Sequence, residues 1–148
     1  MSAVLLLFLL MATPVVAQPG DVSAAIAELE ETNACSGCDL SGADLSGRDL
    51  AGADLSMANL SGADLTGADL RMARLDGADL SGADLGGADL RSATLVGAAL
   101  ANANLARADI SNADFTDATI DEDTLAGAII CYITLPNGQL FLMHQNCP

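Results

Sequence analysis

From Leu40 to Ile130 an apolar residue occupies every fifth position without a break, Leu at each step as far as Leu105 and then Ile110, Phe115, Ile120, Leu125 and Ile130. Neither regular element can bury a period of five. Five residues advance an α-helix by about 500°, so successive apolar side chains would walk around its surface. In a flat strand side chains alternate between faces, so an odd period would send consecutive apolar residues to opposite sides. What remains is a chain that turns a corner once per repeat, so that every fifth side chain points to a common axis and coil stacks on coil.

With the apolar residue at position i, position i−2 is Ala throughout except at Cys38, Arg48 and Asp123, and position i−1 is most often Asp, as in Ala43-Asp44-Leu45 and Ala83-Asp84-Leu85. Residues two apart in an extended segment share a face, so Ala and Leu turn inward together and the Asp between them faces water. Position i+1 is commonly Ser and i+2 is Gly in ten repeats, among them Gly42, Gly62, Gly82 and Gly97. These two residues form the corner, because Gly accepts positive φ and Ser bonds locally to turn backbone.

The pattern resembles the pentapeptide-repeat family, whose signature is A(D/N)LxG, over residues 38–130. The resemblance implies an all-β fold: a right-handed quadrilateral β-helix with four repeats per coil, its interior filled by positions i and i−2. At that pitch the array makes between four and five coils, a rod only about 20 to 25 Å long. It also implies stacking of every twentieth residue, which puts Asp49, Asp69, Asp89 and Asp109 in one outer column and Asp44, Asp64, Asp84 and Asn104 in another. Water and salt reduce the repulsion within such columns, so most of these acids read as a solvated face, with Arg71 and Arg91 balancing part of the first column.

The remaining segments divide the chain. Residues 1–17 read as a secretory signal peptide: a ten-residue apolar block from Ala3 to Ala12, a break at Pro14, and the small-residue pattern Val15-Val16-Ala17 before Gln18, although no Lys or Arg precedes the block. That makes the protein exported, periplasmic or extracellular, with no membrane attachment after cleavage. Residues 18–37 form an N-terminal cap in which Asp21 to Thr32 is a helix, Asp21 its N-cap and Val22, Ala25, Ile26 and Leu29 its apolar face. Residues 131–148 form a C-terminal cap, a hairpin of Ile129 to Leu135 and Gln139 to Met143 joined by Pro136-Asn137-Gly138 around an Asn-Gly turn. Such caps would cover the open ends of a solenoid, which otherwise invite aggregation.

Cys35 and Cys38 precede the array, and Cys131 and Cys147 follow it. A rod of that length keeps the pairs too far apart for one zinc site of four thiolates, so the expected pairing is local, Cys35 with Cys38 and Cys131 with Cys147, in an oxidising compartment. Cys35-Ser-Gly-Cys38 also matches the bare CxxC of disulfide oxidoreductases, without the surrounding βαβ pattern or a cation to activate a thiolate. His144, three residues from Cys147, reads as a solvated residue rather than a ligand.

Twenty acidic residues against five Arg and no Lys give a formal charge of −15, which excludes duplex DNA and anionic membranes as direct partners. One His and no Ser/His/Asp or phosphate-binding constellation argue against an enzyme, and no cofactor is expected. The favoured function is therefore a non-catalytic scaffold whose acidic faces engage a cationic protein. Two alternatives are a module associating weakly with Ca²⁺ or other divalent cations, since Asp columns present oxygen ligands, and a DNA mimic, since some members of the family bind DNA gyrase in place of duplex DNA. Arg48 stands where Ala is expected, and its guanidinium should escape through the N-terminal end or pair with Asp49 or Glu31. Met57 and Met72 replace corner glycines and should be exposed.

Overall fold

The computed structural model describes residues 21–121 and 123–141. The proposed leader, Cys147, His144 and Met143 lie outside them. Through most of the array, outward residues pair in parallel with the residue twenty positions on: Asp39 with Asn59, Asp44 with Asp64, Asp49 with Asp69, Asp54 with Arg74. A twenty-residue coil of five-residue repeats has four sides.

Five backbone N–H groups per repeat need acceptors, and four of them find backbone carbonyls. Leu40 N–H donates to the Asn59 carbonyl at 2.8 Å and Gly42 N–H to the Ser61 carbonyl at 2.9 Å, both on the next coil. Ala43 N–H closes the corner on the Leu40 carbonyl at 3.0 Å. The N–H of an outward residue reaches the preceding coil, as Asp64 N–H does to the Ala43 carbonyl at 2.9 Å. The fifth group, on the first corner residue, gets no backbone acceptor, and its partner belongs to the site described below.

Leu40 through Leu105 are buried at every step, and the i−2 alanines with them. Each such Leu contributes roughly 1.5 to 3 kcal/mol of transfer free energy, which lets stacked ladders hold a rod with no wider core. Among the described residues the second corner residue of each repeat is left-handed. Most are Gly, but Met57 (φ 60°), Met72 (φ 59°) and Asn112 (φ 61°) adopt the same conformation, so the coil imposes it even where the side chain resists.

The backbone ladder extends one repeat beyond 38–130 at each end. Cys35 N–H donates to the Asp54 carbonyl at 2.7 Å, and Phe115 N–H to the Thr134 carbonyl at 2.9 Å, with Ile133 and Cys35 both buried as inward residues. Near the C-terminal end one side is irregular. Asp123 occupies an inward position, where a carboxylate is costly to bury. It is exposed instead, Thr124 is buried, and Leu125 is only half-buried.

The helix α1 (Val22–Thr32) has Asp21 as N-cap, its carboxylate accepting from Ser23 N–H at 3.1 Å and Ala24 N–H at 3.3 Å. Ala25 and Leu29 are buried in the same apolar cluster as the coils, with Val22 and Ile26 packed against it. Asn33 ends the helix in the left-handed conformation (φ 54°), and its amide reaches the Ala51 carbonyl at 3.0 Å. The other terminus holds β1 (Ile133–Thr134) and β2 (Leu140–Phe141), paired antiparallel with Ile133 opposite Phe141. The first arm of this hairpin starts later than Ile129 because residues 129–131 still belong to the coil. The turn is the Pro136-Asn137-Gly138 segment expected between the two arms. Gly138 N–H donates to the Leu135 carbonyl and Leu135 N–H to the Gln139 carbonyl, both at 2.8 Å, and only Gly138 of the loop has positive φ. Pro136 fixes a φ near −65° at the first turn position, which selects the three-residue turn with a Gly bulge.

Candidate functional site

The stacked aspartates use one oxygen each to build the fold. The first corner residue's N–H, the one without a backbone acceptor, donates to Oδ1 of the Asp two residues earlier: Ser46 to Asp44 at 3.1 Å, Thr66 to Asp64 at 2.9 Å, Gly86 to Asp84 at 2.9 Å and Ser111 to Asp109 at 3.0 Å. Corner hydroxyls add a second bond, as from Ser46 Oγ to Asp44 at 2.6 Å. Asp44, Asp49, Asp64 and Asp84 are exposed, so the face is solvated, but with Oδ1 turned into the corner it is Oδ2 that is left for the surroundings. Asn59 and Asn104 do the same work without charge. Their Oδ1 atoms accept from Ser61 N–H at 3.1 Å and Ala106 N–H at 3.0 Å, while their amides donate to Asp39 at 3.1 Å and Asp84 at 2.9 Å on the preceding coil.

The two columns differ electrostatically. Asp49, Asp69, Asp89 and Asp109 stack in parallel register, and two arginines interleave with them. Arg71 makes a two-pronged contact with Asp69, Nε to Oδ1 at 2.8 Å and Nη2 to Oδ2 at 2.5 Å, and its Nε lies 3.8 Å from Asp89. Arg91 repeats the arrangement on Asp89 and lies 3.9 Å from Asp109. The guanidinium bonds hold the Asp69 and Asp89 carboxyls below the usual aspartate range. In the other column Asp44, Asp64 and Asp84 stack with Asn104. Among the described residues no ion pair reaches these three acids. Asp44 is nevertheless held low, by the Ser46 hydroxyl and then its N–H. An open groove of about 820 Å³ follows the corner beside the first column, lined by Ala51, Arg71, Met72, Arg91, Ser92 and Asn112 among others.

The cysteines occupy both ends. Cys35 and Cys38 are joined, their Cα atoms 5.3 Å apart, and both are inward positions flanking the first corner. A Glu28 carboxylate oxygen lies within 4.8 Å of both sulfurs, but a disulfide presents no thiolate to a metal. The CxxC also sits in a turn of the coil rather than at a helix N-terminus, so it lacks the field that activates oxidoreductase cysteines. Cys131 is buried and disulfide-bonded. Arg48 does leave through the N-terminal end, but its partner is Glu30 of α1 rather than Glu31 or Asp49. The helix phase decides this choice, which a reading by sequence proximity could not see. Among the described residues no helix is long and apolar enough to cross a membrane.

The sequence profile of the pentapeptide repeats matches residues 49–82 and 83–120. The crystal structure of alr5209, a pentapeptide-repeat protein from Nostoc PCC 7120, is 36% identical, with 77% of this chain and 99% of that one covered at a TM-score of 0.54. The chain belongs to the pentapeptide-repeat family. Its fold is accordingly the right-handed quadrilateral β-helix of that family. Two other matches are a pentapeptide-repeat protein of the Arabidopsis thaliana thylakoid lumen, AT2G44920 (36% identity, 71% and 85% covered, TM-score 0.28), and QnrB1, a plasmid-mediated fluoroquinolone resistance protein (19% identity, 67% and 70% covered, TM-score 0.43). No protein with a curated description matches.

Proposed function

We propose that this pentapeptide-repeat protein is an exported, non-catalytic scaffold that engages a cationic protein through the Asp44, Asp64 and Asp84 column. One observation carries the reading: these acids stand one coil apart with Oδ1 committed to the corner, and no ion pair among the described residues neutralises them. A row of carboxylates about 4.8 Å apart suits Lys or Arg side chains presented along an extended segment. The same geometry disfavours calcium, which takes six to eight oxygens from a curved loop. The terminal helix and hairpin serve to seal the rod's ends.

The test uses the chain's own precedent. Asn at positions 59 and 104 keeps the corner acceptor and removes the charge, so an Asp44→Asn, Asp64→Asn, Asp84→Asn variant should keep its β-sheet circular dichroism. In a crosslinking pull-down from the exported fraction, the native protein should capture a basic partner in a salt-sensitive manner and the variant should not. Equal capture by both, or no basic partner, would count against the reading. Cell fractionation checks the compartment, and calorimetry should show no discrete Ca²⁺ site.

A further inference from the structure

Arg74 is the sole basic residue at an outward strand position of the array, and it stacks directly on Asp54. Every other such column carries acids or neutral residues. Arg74 is 59% exposed and reaches Asp54 at 3.4 Å and Asp76 at 3.9 Å. The same face is edged by the most exposed apolar side chains of the coils, Met57 at 69% and Met72 at 71%. Each belongs to a corner column that continues in Gly, Gly77 beside Met57 and Gly52 beside Met72.

We infer that this face docks a second copy of the chain in an antiparallel, two-fold arrangement, with Arg74 of each copy on Asp54 of the other. This goes beyond the scaffold reading and uses a different face from the Asp44 column. The argument is charge complementarity. Two copies at −15 each meet carboxylate against carboxylate on the other acidic columns, whereas a two-fold axis along the strands, between Asp54 and Arg74, sets acid against cation twice. The same operation lays Met72 over Gly52 of the second copy, where the space above the bare backbone is open. Isologous contacts of this kind are the commonest route to dimers. A face about 20 Å tall and about 15 Å wide is smaller than the roughly 800 Å² per partner of a stable interface. The dimer is therefore a weak one, with a dissociation constant of about 10 µM to 1 mM.

Sedimentation equilibrium on the full chain up to about 1 mM should show the weight-average mass rising toward the dimer. Arg74→Asp should weaken association at least tenfold, and Asp54→Arg should do the same. Combining the two restores the complementary pair and should recover the native constant. Position 74 already shows that a basic residue is accepted at this site, and circular dichroism checks folding of each variant. Met72→Asp, which touches no corner acceptor, should also weaken association. A monomer at every concentration, or a double swap no tighter than either single variant, would overturn the inference. Neither outcome bears on capture through the Asp44 column.

Discussion

The sulfur of Met57 lies 2.5 Å from where a Cβ on Gly77 would stand, so a residue on one coil uses the bare backbone of the next as its resting place. Gly77 (φ 66°) and Gly62 (φ 64°) share a backbone conformation, but the space beside Gly62 is empty. Gly62→Ala should therefore cost about 1 kcal/mol, the left-handed penalty alone. Gly77→Ala should cost that and up to about 0.5 kcal/mol more, since an exposed thioether can move aside. Adding Met57→Ala should remove the excess. Urea melts of the cycle measure the coupling, and identical costs at both glycines would disprove the contact's importance.

The corner bond from Thr66 N–H to Asp64 separates charge from acceptor. Asp64→Asn retains a side-chain oxygen and should change stability by less than about 0.5 kcal/mol, whereas Asp64→Ala strands the N–H and should cost about 1 kcal/mol. Chemical denaturation distinguishes them. Equal losses for the two would mean that charge, and not hydrogen bonding, selects Asp in the repeat.

Acid should loosen the rod. The Ser46 hydroxyl, the Arg71 and Arg91 guanidiniums and the Thr124 hydroxyl hold Asp44, Asp69, Asp89 and Asp121 below the usual carboxyl range. A depressed carboxyl binds its proton more weakly folded than unfolded, so its contribution is complete above the unfolded pKa and is lost as pH falls through the folded one. Tm should stay level from neutrality to about pH 5 and decline below about pH 4. A Tm that rose on acidification would show that repulsion between stacked carboxylates outweighs their corner bonds.

Arg48 and Glu30 are both substantially exposed, so their pair is worth at most about 1 kcal/mol. Arg48→Ala introduces the residue found at the equivalent position on later coils and should shift stability by no more than that. A loss above about 3 kcal/mol would place Arg48 among residues essential to the join between α1 and the first coil.

Much of this was legible in the chain. The fivefold recurrence of Leu, the Ala two residues before it and the Gly after it are local patterns, and local sterics suffice to say which side chains turn inward and where the chain bends. The helix at Val22–Thr32 was equally readable, because Asp21 and the spacing of Ala25 and Leu29 lie within one short segment. The acidic columns could be listed, but their chemistry could not. That the first corner N–H has no backbone acceptor emerges only when the other four are assigned, and two of the other N–H groups bond to the next coil and one to the preceding coil.

The sequence by itself determined a solenoid with a Leu interior, because a period of five leaves a polypeptide no other way to bury those side chains. Tertiary structure alone decided that Asp closes the corners, that Glu30 receives Arg48, that Met57 and Met72 border one face with Arg74, and that the ladder runs from Cys35 to beyond Thr134. Most of these depend on residues about twenty positions apart, a separation at which side-chain partners are set by coil stacking and leave no mark on any single repeat.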